Sequence, residues 1–253
     1  MIKIDNISKE YNTVEVLRID ELEIPEGQSF GLVGNNGAGK TTLFSLFLDL
    51  IQPTRGQITS HGIVVSESEE WKPFTSAFID ESFLIGYLTA EEYFYFIGEL
   101  RGRTKSQVDE LLSGFKDFFH GEILNQKKYL RDMSKGNQKK VGIVGALIGD
   151  PKVIILDEPF ANLDPTTQIR LKQLLKKITE ERQATILVSS HDLMHVTEVC
   201  ERIVVLESGK PVKDIKTSEA TLKELEDYFA ERSEQETENA GGTEEANDEQ
   251  QTG

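Results

Sequence analysis

One cysteine, Cys200, is all the thiol chemistry in the 253-residue chain, so no disulfide can form within it. Cys200 lies among apolar residues at the end of a helical stretch, the setting of a buried structural thiol. No apolar run approaches the roughly 18 to 20 residues that cross a bilayer. The amino terminus, Met1-Ile2-Lys3-Ile4-Asp5, alternates apolar and polar residues and lacks the longer apolar stretch of a secretory signal. Together these absences place the chain in the cytosol. Positive charge is scarce: 28 Lys and Arg stand against 44 Asp and Glu, a net charge of -16. That is the wrong sign for a phosphate backbone, and no nucleic-acid partner is expected. No internal repeat is found.

What is present is the balance of a globular protein, 38% hydrophobic and 28% charged residues, in a chain long enough for one main domain with a small subdomain. The acidity is concentrated at the end. Residues 231–253 hold eight acidic side chains against one basic, Arg232, with no aromatic or large aliphatic residue. Such a segment cannot bury enough apolar surface to offset the entropy of ordering it, so a disordered, solvating acidic tail is expected. Upstream, Thr13 to Ile24 reads as extended chain, Pro25-Glu26-Gly27 as a turn, and Ser29-Phe30-Gly31-Leu32-Val33 as a buried strand. Thr41 to Ile51 is apolar almost all round and predicts a helix packed on a sheet, closed by Pro53 and Gly56. Thr89-Ala90-Glu91-Glu92 is a capping box, and the helix it opens carries Tyr93, Phe96, Ile97 and Leu100 on one face. A second amphipathic helix carries Val108, Leu111, Leu112, Phe115 and Phe119. After Pro151 come short aliphatic runs, Val153 to Leu156, Thr185 to Val188 and Ile203 to Leu206, with a helical crossover over Gln168 to Thr179. Runs without alternation predict strands buried on both faces, and so a parallel sheet.

Gly34-Asn35-Asn36-Gly37-Ala38-Gly39-Lys40-Thr41 has the spacing of a phosphate-binding loop, directly after a predicted strand and before a predicted helix. Glycines let the backbone turn its amides inward as an anion nest, and the helix amino terminus adds its positive dipole end. Lys40 then reaches the β- and γ-phosphates of ATP, the Thr41 hydroxyl binds Mg²⁺, and Thr42 continues the loop. Asp157 and Glu158 emerge at the carboxyl end of the strand Val153 to Leu156, where open α/β sheets place ligands. Asp157 is suited to holding Mg²⁺, and Glu158 to orienting or deprotonating the attacking water. His191, after Ser189-Ser190, leaves the next strand on the same edge and can hydrogen-bond a γ-phosphate. His61, His120 and His195 have no comparable context.

With these residues in place the chain resembles the nucleotide-binding subunit of ATP-binding cassette (ABC) transporters. Met133-Ser134-Lys135-Gly136-Asn137 looks like the family signature, Ala161-Asn162-Leu163-Asp164 matches the following loop, and Ser190-His191-Asp192 matches the switch histidine. Tyr11 sits where the family stacks an aromatic on adenine. The resemblance covers about residues 1–215. It implies an α/β fold: a P-loop NTPase core with a mostly parallel sheet, an antiparallel N-terminal β part and a helical subdomain insert. The ATPase domain is expected over 1–217, the insert over about 75–147 and the tail over 218–253. The resemblance also implies a head-to-tail dimer, a homodimer or a pair with a related ATPase chain, in which Ser134 and Gly136 contact the γ-phosphate held by the other chain. A separate transmembrane permease subunit would turn the ATPase cycle into transport, more in keeping with export because the insert is compact and no substrate-regulatory domain follows. The chain would then lie on the inner face of the cell membrane. A soluble ABC ATPase serving complex assembly or an iron–sulfur scaffold is the alternative.

Two motifs depart from the family pattern. The signature has Met133, Lys135 and Asn137 in place of Leu, Gly and Gln, but keeps the serine and second glycine that touch phosphate. Asp80, in Phe78-Ile79-Asp80-Glu81, replaces the usual coupling-loop glutamine. A carboxylate there can approach Mg²⁺ as a third metal ligand with Thr41 and Asp157, while adding charge and losing an amide donor. The aromatics from Phe78 to Phe96 are expected mostly to pack the helical subdomain, with some left for a groove that receives a membrane-partner helix.

Overall fold

The computed structural model describes residues 1–232. Strands β1 (Ile2–Tyr11) and β2 (Val14–Ile24) pair antiparallel, with Ile2 opposite Ile24 and Tyr11 opposite Val14. The tight connection is carried by Asn12 and Thr13, both at positive φ. β1 also pairs with β4 (Arg55–Ser60), which pairs with β5 (Ile63–Val64), completing a four-stranded sheet in the order β2-β1-β4-β5. Its inner face contributes Ile2, Ile4, Ile7, Leu17, Ile19 and Ile58 to the core.

The second sheet has six strands, ordered β10-β9-β3-β8-β7-β6. β3 (Ser29–Val33) runs parallel to β8 (Thr185–Ser190) and β9 (Arg202–Glu207); β7 (Val153–Leu156) runs parallel to β8 and to β6 (Thr75–Phe78); β10 (Lys210–Lys216) closes one edge antiparallel. β3, β7 and β8 are buried at every residue. This is why their sequences show unbroken aliphatic runs without alternation. Helices α1 (Lys40–Phe47), α5 (Lys135–Leu147), α6 (Pro165–Arg182) and α7 (Leu193–Val199) accompany this sheet, and α2 (Ala90–Leu100), α3 (Lys105–Ser113) and α4 (Lys116–Phe119) form the insert. The mixed α/β architecture with an antiparallel N-terminal part is the one expected. Among the described residues, no helix is long and apolar enough to cross a membrane.

Four local expectations are corrected. The first helix ends at Phe47 and not at Ile51, because Asp49 turns left-handed at φ 54°. The insert does not begin at 75: Thr75–Phe78 is the edge strand of the large sheet, hidden from a search for aliphatic runs by its Thr, Ser and Ala. The second amphipathic stretch breaks at Gly114 into α3 and α4. On α2 the capping box forms as expected, but the buried residues are Ala90, Phe94 and Gly98. Gly98 sets that face, since a Cβ there would stand 2.3 Å from Val108 Cγ2 of α3. Phe94 stacks on Phe119 with 5.8 Å between ring centroids. The aromatics expected to pack divide accordingly. Phe78 and Phe94 are buried, whereas Phe83 and Tyr87 are 60% and 72% exposed and Phe96 is also exposed.

At its carboxyl end α2 is tied to the edge of the large sheet by Arg101. The guanidinium donates to the carbonyls of Lys72, Pro73 and Thr75 and to Ser76 Oγ, at 2.6 to 3.0 Å. Met1–Lys216 is one compact unit and the chain from Thr217 is a second. In the second unit residues 221–232 are helical, so the first two residues of the expected disordered tail, Glu231 and Arg232, belong to a helix. The remainder of that tail, 233–253, lies outside the described residues. Cys200 is buried, and burial pushes its thiol pKa up, as expected of a structural thiol.

Candidate nucleotide site

Strand register brings the chemistry to one edge. Val33 is opposite Ser190 and Leu156 opposite Val188, so Gly34, Asp157 and His191 leave neighbouring strands on the same side of the sheet. At Gly34 a Cβ would stand 2.3 Å from the Leu206 carbonyl oxygen, and only glycine passes there. Gly39, left-handed at φ 103°, starts α1, and no side chain caps that helix. Its first amides therefore keep the polarity that attracts an anion. Lys40 is buried and its ammonium donates back to the carbonyls of Gly34 and Asn35 at 2.6 and 3.3 Å, closing the loop on itself.

The Thr41 hydroxyl donates to Asp157 Oδ2 at 2.5 Å, and the Ser189 hydroxyl donates to Asp157 Oδ1. Ser189 Oγ in turn accepts the Glu158 backbone N–H at 2.9 Å. Asp157 is 5% exposed, and burial pushes its carboxyl pKa up despite these two hydrogen bonds. The Glu158 carboxylate is held between two groups: Lys40 Nζ lies 3.5 Å from Oε1, and His191 Nδ1 lies 2.9 Å from Oε2. Glu158 itself has φ 45°, a left-handed backbone that residues other than Gly and Asn seldom adopt. Its carbonyl accepts from Lys139 Nζ at 2.8 Å and from the Ala161 N–H at 3.3 Å.

A cavity of about 300 Å³ is lined by Tyr11, Val16, the loop from Asn36 to Thr42, and Glu158. The fold thus gathers Tyr11, Asn36, Gly37, Ala38, Gly39, Lys40, Thr41, Thr42 and Glu158 around one space. Gly34 and Asn35 lie behind it with their carbonyls taken by Lys40, while Asp157 and His191 join through their bonds to Thr41 and Glu158. The Lys9 ammonium lies 4.8 Å from the Tyr11 ring centroid.

Three expected site residues are placed elsewhere. Ser134 is exposed at the amino terminus of α5, where its side chain accepts the Asn137 N–H at 3.3 Å. Gly136 packs so that a Cβ would meet the Asn162 carbonyl oxygen at 2.8 Å. Neither lines the cavity of its own chain. Asp80 does not line it either. Its carboxylate accepts the Ser82 N–H at 2.7 Å to cap a single 3-10 turn, Glu81–Phe83, and hydrogen bonding from the Ser82 side chain first and its backbone second holds its pKa down. The sequence reading missed Ser189, Val16 and Lys139. Only Ser189 carried a signal, as a hydroxyl ending an otherwise aliphatic strand. A roomier cavity of about 490 Å³ lies between α3 and α6. Its rim arginines, Arg103 and Arg182, are both spent on Asp150 at 2.7 and 2.6 Å.

A glycine loop feeding an uncapped helix from the middle of a parallel sheet, with a buried and a half-buried carboxylate at the end of a strand one place beyond its neighbour, defines a P-loop nucleotide-binding protein. Comparison with known proteins makes the class specific. The family model for ABC transporters matches residues 17–161, and the chain belongs to the ABC transporter family, as an ATP-binding subunit. It is 34% identical over 242 residues to the uncharacterized ABC transporter ATP-binding protein YhaQ of Bacillus subtilis, covering 92% of this chain and 75% of that one. It is 31% identical over 221 residues to the bacitracin transport ATP-binding protein BcrA of Enterococcus faecalis, covering 87% and 70%. Among solved structures it matches the dimeric, post-hydrolysis state of the ATP-binding cassette MJ0796 bound to ADP and Pi. That match has a TM-score of 0.76 and 27% identity, and covers 86% of this chain and 99% of that one.

Proposed function

We propose that the chain hydrolyses ATP and, as one of two cassettes, drives export through a separate membrane subunit. The observation that carries the hydrolysis is the Glu158 carboxylate, fixed at the cavity wall between the Lys40 ammonium and the His191 ring. Glu158 accepts the proton of the attacking water, and His191 keeps the carboxylate oriented and hydrogen-bonds the γ-phosphate. Lys40 turns from the loop carbonyls to the phosphates, and the uncapped start of α1 stabilises their charge. Thr41 and Asp157 suit Mg²⁺: both offer hard oxygens, already in contact, and the raised pKa of Asp157 marks a buried carboxylate short of positive charge. Bound there, Mg²⁺ would neutralise charge on the phosphates. Tyr11, half exposed at the mouth, is the proposed adenine platform.

The exposed position of Ser134, with Gly136 half-buried beside it and both outside their own cavity, supports their use by a second chain, and the solved relative is a dimer. The membrane subunit's proposed seat is a cavity of about 370 Å³ lined by Leu50, Trp71, Phe78, Ile79, Phe83 and Tyr93. Export is the proposed direction, resting on the compact insert. No observation favours the soluble-assembly alternative.

Glu158→Gln is expected to keep ATP binding, lower turnover about a hundredfold or more, and accumulate an ATP-bound dimer. Turnover and size-exclusion measurements check this, and normal turnover would remove Glu158 from the role. Co-purification from detergent-solubilised membranes tests the transporter reading. Recovery of the native protein only from the soluble fraction, with no membrane partner, would defeat it.

A further inference from the structure

Lys139 lies on α5, one turn past Ser134, and its side chain is only 7% exposed. A buried ammonium must find an acceptor and a counter-charge, and this one has one of each. It donates to the Glu158 carbonyl at 2.8 Å, and it stands 3.6 Å from Glu81 Oε1, whose side chain is nearly as deeply buried. That oxygen has no hydrogen-bond partner among the described residues, so charge compensates the carboxylate: the buried Lys139 at Oε1, and the exposed Lys135 at the longer distance of 4.0 Å from Oε2. Glu158 needs a brace. A glutamate at φ 45° persists only where its surroundings hold it there. Ser189 holds its N–H from the sheet side, and Lys139 holds its carbonyl from the α5 side, alongside the weaker Ala161 bond.

We propose that Lys139 is a positioning residue for Glu158, fixing the left-handed backbone that aims the carboxylate, and that Glu81 holds Lys139 in place. The proposal rests on the reading of Glu158 as the group that activates water. Glu81 belongs to the same 3-10 turn as Phe83, which lines the groove offered to the membrane subunit. The groove and the brace on the base therefore share one turn of chain.

The test is steady-state ATPase kinetics with separate nucleotide-binding titrations on the full chain, with Glu158→Gln measured alongside. Lys139→Met is expected to lower kcat about tenfold, since a small misplacement of a reacting group is enough for that. The KM and Kd for ATP should move by less than about twofold, the pattern of an interaction that matters only in the transition state. Lys139→Arg should recover most of the kcat. Glu81→Gln should show a smaller loss of kcat and add nothing further in the Lys139→Met background, the mark of two residues acting through one contact. The double variant also guards against misfolding, because it leaves no buried charge unpaired. Recovery of kcat in the double variant would overturn the proposal, by showing that the single change merely stranded Glu81. An equal loss of kcat and nucleotide affinity, not rescued by Arg, would overturn it as a general structural defect. Unchanged kcat in Lys139→Met, with Glu158→Gln inactive, would overturn the positioning role alone. Normal turnover in Glu158→Gln would overturn the reading beneath it as well.

Discussion

At the carboxyl edge of the large sheet, apolar side chains point inward and polar groups converge on one cavity; in the helical insert, Phe83, Tyr87 and Leu100 stand 60%, 72% and 67% exposed above a small core of Phe94, Val108 and Phe119. The contrast follows from geometry. A strand between two others and under helices is covered on both faces, so an aliphatic run there has a single place to go. An amphipathic helix can turn its stripe either way, and only tertiary neighbours decide. In α2 the decision falls to Gly98, which admits Val108 and brings Phe94 inside with it. Large apolar residues left outside are what a surface made for a partner looks like.

Substitutions can break or sharpen this contrast. Phe94→Ala should cost about 3–5 kcal/mol in denaturant unfolding, because it empties the insert's core. A small loss would mean that the insert has no core of its own. Asp157→Asn should act in the opposite direction on the sheet edge, stabilising the nucleotide-free protein by about 1 kcal/mol at neutral pH while abolishing turnover. Burial raises the Asp157 pKa above its ordinary value of 3.8. The folded state therefore favours the protonated form. Its contribution to stability is fully present below the unfolded pKa and is lost as pH rises through the folded pKa. The advantage of the Asn variant should accordingly vanish below pH 3.8 and grow above it, as thermal melts across pH would show. Smallest on stability, Phe83→Ala and Tyr87→Ala should stay within about 0.5 kcal/mol of wild type yet release the protein from detergent-solubilised membrane complexes. Retained association would mean that the exposed aromatics are not the seat of the membrane subunit.

The same contrast separates what could be read in the sequence from what could not. The buried strands β3, β7, β8 and β9, the phosphate loop and the carboxylates after β7 were legible because each is specified by contiguous residues. The edge strand β6 was not, because Thr75-Ser76-Ala77 gains its burial from position and not from hydrophobicity. Lys139 and Lys140 carried no signal in the sequence, because the partners that allow their burial, Glu158, Glu81 and Glu122, are distant in the chain. The Asp80 carboxylate takes a local partner that alignment does not show, the Ser82 amide two residues on.

Arg101 has a mechanical consequence. Its four bonds fasten the carboxyl end of α2 to the edge strand, so that end serves as a fulcrum; the amino end, joined to the 129–131 segment by the Leu130 N–H to Leu88 carbonyl bond at 2.8 Å and the Thr89–Tyr129 bridge, is the tip of a lever that takes this segment with it. Eleven helical residues at 1.5 Å each make an arm of about 16 Å, and a swing of about 10° would carry the Thr89 end roughly 3 Å while Arg101 scarcely moves. A push at the exposed aromatics before α2 thus has its largest travel at the tip and its firmest reaction against the parallel sheet that carries the nucleotide.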